Sequence, residues 1–403
     1  MKAFSFEGSG SEYFKIWIVN ILLTIVTLGL YYPWAKVRNN RYLYANSTIE
    51  GRGFDYHATG KQLFFGYLIA MALLIAYIII QNISPIGSLV VILIFFLAFP
   101  WIIWRSLSFN MRMTSFSNVR FSFDGTLGGA YANFMLRPIA VFIVVYLVPI
   151  AVVGILAGLL SSILAAVPSV ILGLLGLIAV IADVYSVVYC LSYIKERNTS
   201  YMLNGYKYGQ GQFRTNIEIG PFVAIKFKSI ALGFLLYLGL VITAGVLGAV
   251  VVGIDELSLL LENLDSMEES DLTAETVGML VFILGPVYLG LIIVGLLVYA
   301  YSYARQRKYI LANSMLDEKI SFDSTLKARQ FAWILISNFI MVILTLGLAM
   351  PWTKVRMARY VLENSLVDTS VGLDTYLTQK QEEQSSLGEQ LGDAFDVDVG
   401  VGF

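Results

Sequence analysis

TLGLYYPWAKVRNNRYLYANS runs from Thr27 to Ser47, and TLGLAMPWTKVRMARYVLENS runs from Thr345 to Ser365. In register, Asn20 meets Asn338, Thr27-Leu28-Gly29 meets Thr345-Leu346-Gly347, and Pro33-Trp34 meets Pro351-Trp352. Lys36, Arg38 and Arg41 meet Lys354, Arg356 and Arg359, and Asn46-Ser47 meets Asn364-Ser365. Similarity of this extent marks a duplicated building block. In each copy glycine permits a turn and the proline that follows cannot continue a regular helix.

A second motif recurs before the apolar stretches. It reads FSFEG at Phe4–Gly8, FDY at Phe54–Tyr56, FSFDG at Phe121–Gly125, YKYG at Tyr206–Gly209 and ISFDS at Ile320–Ser324. Alternating aromatics that end in Gly or Ser predict a short strand and a turn. Basic elements rich in asparagine follow the apolar stretches: Arg41 to Asn46, Arg112 to Asn118, Arg197 to Asn204, Arg307 to Asn313 and Arg359 to Asn364. The unit is therefore an aromatic strand, a membrane excursion, a basic helix and an asparagine, and five such units fit the chain.

Composition names the solvent. Of 403 residues 58% are hydrophobic and only 14% charged, too few polar groups to cover a soluble protein of this length. A mean hydropathy of +0.74 agrees. A bilayer core needs roughly 20 apolar helical residues. Eight stretches qualify, at about 13–34, 63–81, 86–104, 138–161, 167–194, 229–253, 277–304 and 330–352. SSILAAVPS at Ser161–Ser169 reads as the turn between two of them. The expected fold is an all-α polytopic membrane protein: a helical transmembrane bundle over residues 1–370 with internal repeats and short cytoplasmic β-strands. An acidic tail, 371–403, has the composition of a flexible segment, and Leu387, Leu391, Ala394 and Phe395 share one helical face within it. The start, MKAFSFEGSGSEYF, has no basic region leading into an apolar core, so no cleavable signal peptide is expected.

Charge suggests an orientation. The loops Lys36–Gln62, Arg105–Arg137, Lys195–Lys228 and Arg305–Arg329 carry five, four, six and six basic residues. The connection 253–276 carries eight acids and no Lys or Arg. The positive-inside rule puts the basic loops in the cytoplasm and the acidic loop outside. Eight full crossings would place Lys36–Arg41 and Lys354–Arg359 on opposite faces, against that rule. Six full spans with two re-entrant or tilted terminal segments avoid the conflict and leave both termini cytoplasmic; eight spans with both termini outside is the rival.

FSFEG, LTIVTLGLYYPWAKVRNNRY and GRGFDYHATGKQLFFGYLI resemble the YjgN-like bacterial inner-membrane proteins, a domain family of unknown function. The resemblance extends to about residue 370 and implies a multi-pass protein of the bacterial inner membrane. It implies no substrate, no cofactor and no catalytic residue.

Few side chains suggest chemistry. One histidine, His57, and one cysteine, Cys190, argue against a histidine metal site, a hydrolytic triad within the chain or an internal disulfide. No nucleophile–base set or metal spacing is visible, so no enzyme, no catalytic residue and no cofactor are expected. A net charge of -1 gives no sign of a nucleic-acid partner. Asp183, deep in an apolar run, reads as a relay group or as a structural partner. Asn20, Thr24 and Thr27, with Asn338 and Thr345, read as helix contacts or as the lining of a polar pathway. Tyr31, Tyr32, Trp34, Trp101 and Trp104 read as interfacial anchors. Lys36, Arg38, Arg41, Lys354, Arg356 and Arg359 are candidate contacts for anionic lipid head groups. The partner so implied is the bilayer, and the oligomeric state is left open. Two functions follow: a transporter or channel-like protein for a small solute or ion, or an envelope or lipid-interacting scaffold.

Overall fold

A computed structural model describes residues 1–147, 149–150, 169–253, 274–368 and 375–382. The proposed turn at Ser161–Ser169, most of the acidic connection 253–276 and the helical face at Leu387–Phe395 lie outside the described residues. The chain divides into two compact units. One comprises Met1–Val223, Lys308–Leu326 and Thr345–Phe403; the other comprises Ala224–Arg307 and Lys327–Leu344.

The aromatic motifs do more than add short strands to an all-α bundle. Eleven strands form one antiparallel sheet in the first unit: β1 (Lys2–Ala3), β2 (Ser5–Phe6), β3 (Ser47–Ile49), β4 (Arg52–Tyr56), β5 (Thr114–Phe116), β6 (Val119–Phe123), β7 (Tyr206–Tyr208), β8 (Gly211–Thr215), β9 (Ser314–Leu316), β10 (Ile320–Ser324) and β11 (Ser365–Val367). Lys2 and Ala3 pair with β11, and Ser5 and Phe6 pair with β3, so the N-terminal strand nearly closes the sheet into a barrel. Tight hairpins join consecutive units. Glu50-Gly51 and Ser117-Asn118 both sit at positive φ, as type I′ turns require.

Helices fill the excursions: α1 (Gly10–Val26), α2 (Tyr32–Ala45), α3 (Gly60–Ile83), α4 (Pro85–Arg112), α5 (Leu127–Leu147, with π turns at Ala132–Leu136 and Ile143–Leu147), α6 (Ser169–Gly205), α7 (Ile219–Val252), α8 (Ala274–Ala312), α9 (Ala328–Leu344) and α10 (Met350–Glu363). Among the described residues, six helices are long and apolar enough to cross a membrane, at Gly60–Ile83, Pro85–Arg112, Leu127–Leu147, Gly173–Gly205, Ile219–Val250 and Gly285–Ala312. In the antiparallel sheet every excursion leaves from the end it returns to. One backbone bond closes each of the five units there: Glu7, His57, Asp124, Asn216 and Thr325 donate N–H groups to the carbonyls of Asn46, Met113, Gly205, Asn313 and Asn364. One motif is reassigned by this register. YKYG closes the third unit, and β8, with Phe213, opens the fourth.

The duplicated sentence forms two turns of the same backbone shape. In the first, α1 ends at Val26, the backbone turns through Leu28 (φ 50) and Gly29 (φ 92), and α2 starts with Pro33 in its first turn. Leu346 (φ 50) and Gly347 (φ 91) repeat the turn. Thr27 Oγ1 accepts the Tyr31 N–H and Thr345 Oγ1 accepts the Ala349 N–H, both at 3.0 Å. An α-helix rises 1.5 Å per residue, so 17-residue α1 is about 26 Å long.

The same sentence also locks neighbouring units together. Trp34 lies on Gly60 and Phe64; Trp352 lies on Gly10 and Phe14. Arg41 donates to the Ala58 carbonyl and Arg359 to the Gly8 carbonyl, each at 2.9 Å. Those carbonyls precede Thr59 and Ser9, the side chains that cap α3 and α1. We expect Arg359→Met to cost about 1.5 kcal/mol, the scale for a hydrogen bond to a charged donor. Unfolding of the purified protein in denaturant reads this directly, with Lys61→Met as a control that leaves the midpoint in place.

The barrel's apolar core contains Ile49, Phe116, Val119, Tyr208, Leu316, Ile320 and Val367. Tyr376 and Leu377, from a short helix at 375–382, join it at 4% and 2% exposure. A polar staple holds this helix. Tyr376 Oη donates to Asp317 Oδ2 at 2.9 Å, Lys380 Nζ pairs with the same oxygen at 2.9 Å, and Gln381 Nε2 donates to the Ser117 carbonyl at 2.6 Å. Burial pushes the Asp317 carboxyl up. Hydrogen bonds from Lys380, the Gln212 N–H and Tyr376, with the charge of Lys380, outweigh it and hold the group below the ordinary carboxylate range. Docking therefore gains stability above the free value of about 3.9 and loses it as pH falls through the lower docked value. The protection factors of the amides across 375–382, which correct for the intrinsic pH dependence of exchange, should be flat from about pH 5 to about pH 8 and should fall only below about 4. In Asp317→Asn the acid step should vanish.

In the second unit α7 meets α8 where Leu240 lies on Gly290 and Val298 on Gly233. Tyr303 stacks on Phe331 of α9, and Tyr299 packs on it at a tilt.

Candidate functional site

From Ile16 to Leu23 helix α1 is apolar except for Asn20, which is 3% exposed. A lone amide at that depth must find partners. Asn20 Nδ2 donates to Asn39 Oδ1 at 3.1 Å and to the Ala35 carbonyl at 3.4 Å, both on α2. Its Oδ1 has no partner among the described residues. Around it opens a hollow of about 450 Å³, lined by Trp17, Thr24, Tyr32, Lys36, Asn39, Asn40 and Lys354 with Asn20. None of its lining residues is acidic. Lys354 donates to Tyr13 Oη at 3.1 Å and stands 5.5 Å from the centre of that ring, which fixes its stem. Lys36 is exposed and has no carboxylate partner among the described residues. Two ammonium groups and three amides suit an anion that also carries a hydroxyl or ammonium donor for Asn20 Oδ1. They offer no general base and no cation ligand set.

Apart from Thr24 and Tyr32, the other sequence-predicted residues do not line the hollow. Thr24 Oγ1 and Thr27 Oγ1 donate to the carbonyls of Asn20 and Leu23. Arg38 donates to Tyr31 Oη at 3.1 Å. Arg41 and Arg359 make the inter-unit bonds described above, and Arg356 is half-buried. Asn338 is buried on α9 in the second unit. Asp183 is exposed on α6. His57 Nε2 is 2.7 Å from Ser115 Oγ, within the sheet's hydrogen-bond network. Trp104 Nε1 donates to the Gly125 carbonyl at 2.6 Å.

Asn39 and Asn40 were not legible as site residues. Their signal is one of the places where the two copies disagree: Asn39-Asn40 align with Met357-Ala358. A second polar hollow, about 310 Å³, was also missed; Asp124, Asn133, Arg137, Arg197 and Asn204 line it. Its charges are largely answered from within, since Lys207 pairs with Asp124 at 2.7 Å and Arg197 lies 3.2 Å from buried Glu196. Among the described residues no group of three or more His, Cys, Asp or Glu could hold a metal ion.

Comparison with known proteins gives a family and no chemistry. A family described as "Bacterial protein of unknown function (DUF898)" matches residues 1–394. The chain is 28% identical over 368 residues to the inner membrane protein YjgN of Salmonella typhimurium, covering 90% of this chain and 87% of that one. It is 40% identical over 136 residues to the YjgN protein of Escherichia coli O157:H7, covering 32% and 33% of the two chains. It is 37% identical over 128 residues to that of strain K12, covering 32% of each. No solved structure matches.

Proposed function

From the premise that the chain belongs to the DUF898 family of bacterial proteins of unknown function, we propose a non-enzymatic inner-membrane protein that holds anionic lipid head groups in the α1–α2 hollow. The observation that carries this reading is that Lys36 and Lys354 line one hollow with Asn20, whose side-chain carbonyl oxygen has no hydrogen-bond partner among the described residues. The four basic loops all contain sheet hairpins, so the positive-inside rule puts the barrel in the cytoplasm. The turns at Leu28 and Leu346 then dip into lipid: these side chains are 91% and 94% exposed, which suits hydrocarbon and not water.

Each lysine near an anionic surface contributes roughly 1 kcal/mol. The double variant Lys36→Ala with Lys354→Ala should therefore retain phosphatidylglycerol about 30-fold less well. Native mass spectrometry of protein released from nanodiscs of defined composition measures this. Unchanged retention, with Lys61→Ala as the comparison, would remove the proposal's basis.

Solute transport is the second reading. It draws on the broken hairpins and a buried polar residue within one of them, the arrangement of discontinuous helices in transporters. Uptake by proteoliposomes, abolished by Asn20→Leu while lipid retention by the lysines persists, would favour transport over lipid binding.

A further inference from the structure

The barrel interior holds a further cavity that shares no residue with either of the hollows described above. Its volume is about 230 Å³ and its walls are wholly apolar. The polar tips at its wall are already used: Tyr208 Oη donates to the Phe116 carbonyl at 2.9 Å, and Tyr376 Oη donates to Asp317. An apolar space of this kind stays dry and takes apolar guests.

The fivefold repeat fixes the shape of that guest. Each unit contributes one phenylalanine, Phe4, Phe54, Phe121, Phe213 and Phe322. Four successive pairs stand 6.3, 6.3, 6.5 and 6.0 Å apart between ring centres. A regular ring of five corners with such edges has its centre about 5 Å from each corner, and carbon atoms touch at about 3.5–4 Å. A single file of methylenes on that axis touches the rings. A flat aromatic molecule or a second chain beside the first does not fit. At about 30 Å³ for each water-sized group, the cavity holds seven or eight.

The turn end of the barrel is closed by 375–382 alone among the described residues. Tyr376 and Leu377 line the cavity, and the polar staple to Asp317 and Ser117 sits at the hairpin turns. Two inserted side chains and a few polar contacts hold this helix, whereas the sheet beside it is held by a full ladder.

We propose that the barrel interior binds one unbranched acyl chain of about seven or eight carbons, and that 375–382 is the lid that controls its exchange. The site lies on the sheet, away from the head-group hollow, and the proposal stands whether or not that hollow binds lipid.

The test uses octanoic acid carrying a terminal diazirine, and in a parallel arm a phosphatidylglycerol with the same photoreactive chain. The full-length protein is held in nanodiscs, and crosslinked peptides are mapped by mass spectrometry. The free acid should label the strands at Val119–Phe123 and Ile320–Ser324. Labelling should be at least about tenfold faster in Leu377→Asp, which removes a buried side chain from the lid. Asp317→Asn, which leaves every apolar contact in place, should also accelerate it. Strand labelling by the phospholipid alone would assign the acyl chain to a membrane lipid in place of a free acid and overturn entry through the lid. Label confined to the helices, or strand labelling at equal rates in wild type and both variants, would overturn the proposal.

Discussion

Gly60→Val should destabilise the protein by about 3 kcal/mol, the upper range for overpacking. Gly60 opens α3, where helix propensity alone would make valine an improvement by about half a kcal/mol. Contact decides the sign. A Cβ at Gly60 would stand 2.2 Å from Trp34 Cδ1 and 2.5 Å from Cγ and Nε1. These atoms are at the root of the indole, so the whole side chain must leave its place beside Phe64. Gly10→Val should behave alike, because Trp352 Cδ1 is 2.2 Å from that position. Unfolding temperature in detergent reads the loss. Combining Gly60→Val with Trp34→Ala should recover part of it, whereas simple addition of the two losses would show that the ring is not what the valine meets.

Phe116→Ala should cost about 3–5 kcal/mol, the range for emptying an aromatic core position. Phe116 is 6% exposed and packs 4.8 Å from Phe54 and 6.4 Å from Tyr208. Its loss should loosen two units at once and raise proteolysis across the barrel hairpins. Leu28→Ala gives the contrast. That side chain is 91% exposed, and its removal should change stability by less than about 0.5 kcal/mol. Equal effects at Phe116 and Leu28 would mean that the barrel is not the stabilising core of its unit.

Much of the unit was legible because its signals are local. Aromatic alternation marked strands, Thr-Leu-Gly marked the break, and the repeated Pro-Trp marked the return. Closure of the sheet was not legible, because strands of two to five residues carry too little pattern to fix register. Arg41 and Arg359 were read for their charge alone; the bonds they make to carbonyls of the next unit depend on which units are neighbours. Comparing the copies for likeness hid Asn39 and Asn40, which matter because they differ. The tail's acidity drew attention from Tyr376, Leu377 and Lys380, whose spacing puts two inserted side chains and one cation on a helix of eight residues.

The central claim is that each excursion returns to the end of the sheet it left. Single cysteines at Glu7, Glu50 and Glu318, in a chain with Cys190→Ser, can be challenged with a membrane-impermeant maleimide in right-side-out and inverted vesicles. All three should react only in inverted vesicles. Reaction of Glu7→Cys and Glu50→Cys from opposite faces would mean that α1 and α2 cross the bilayer as one span, and the closed sheet could not exist.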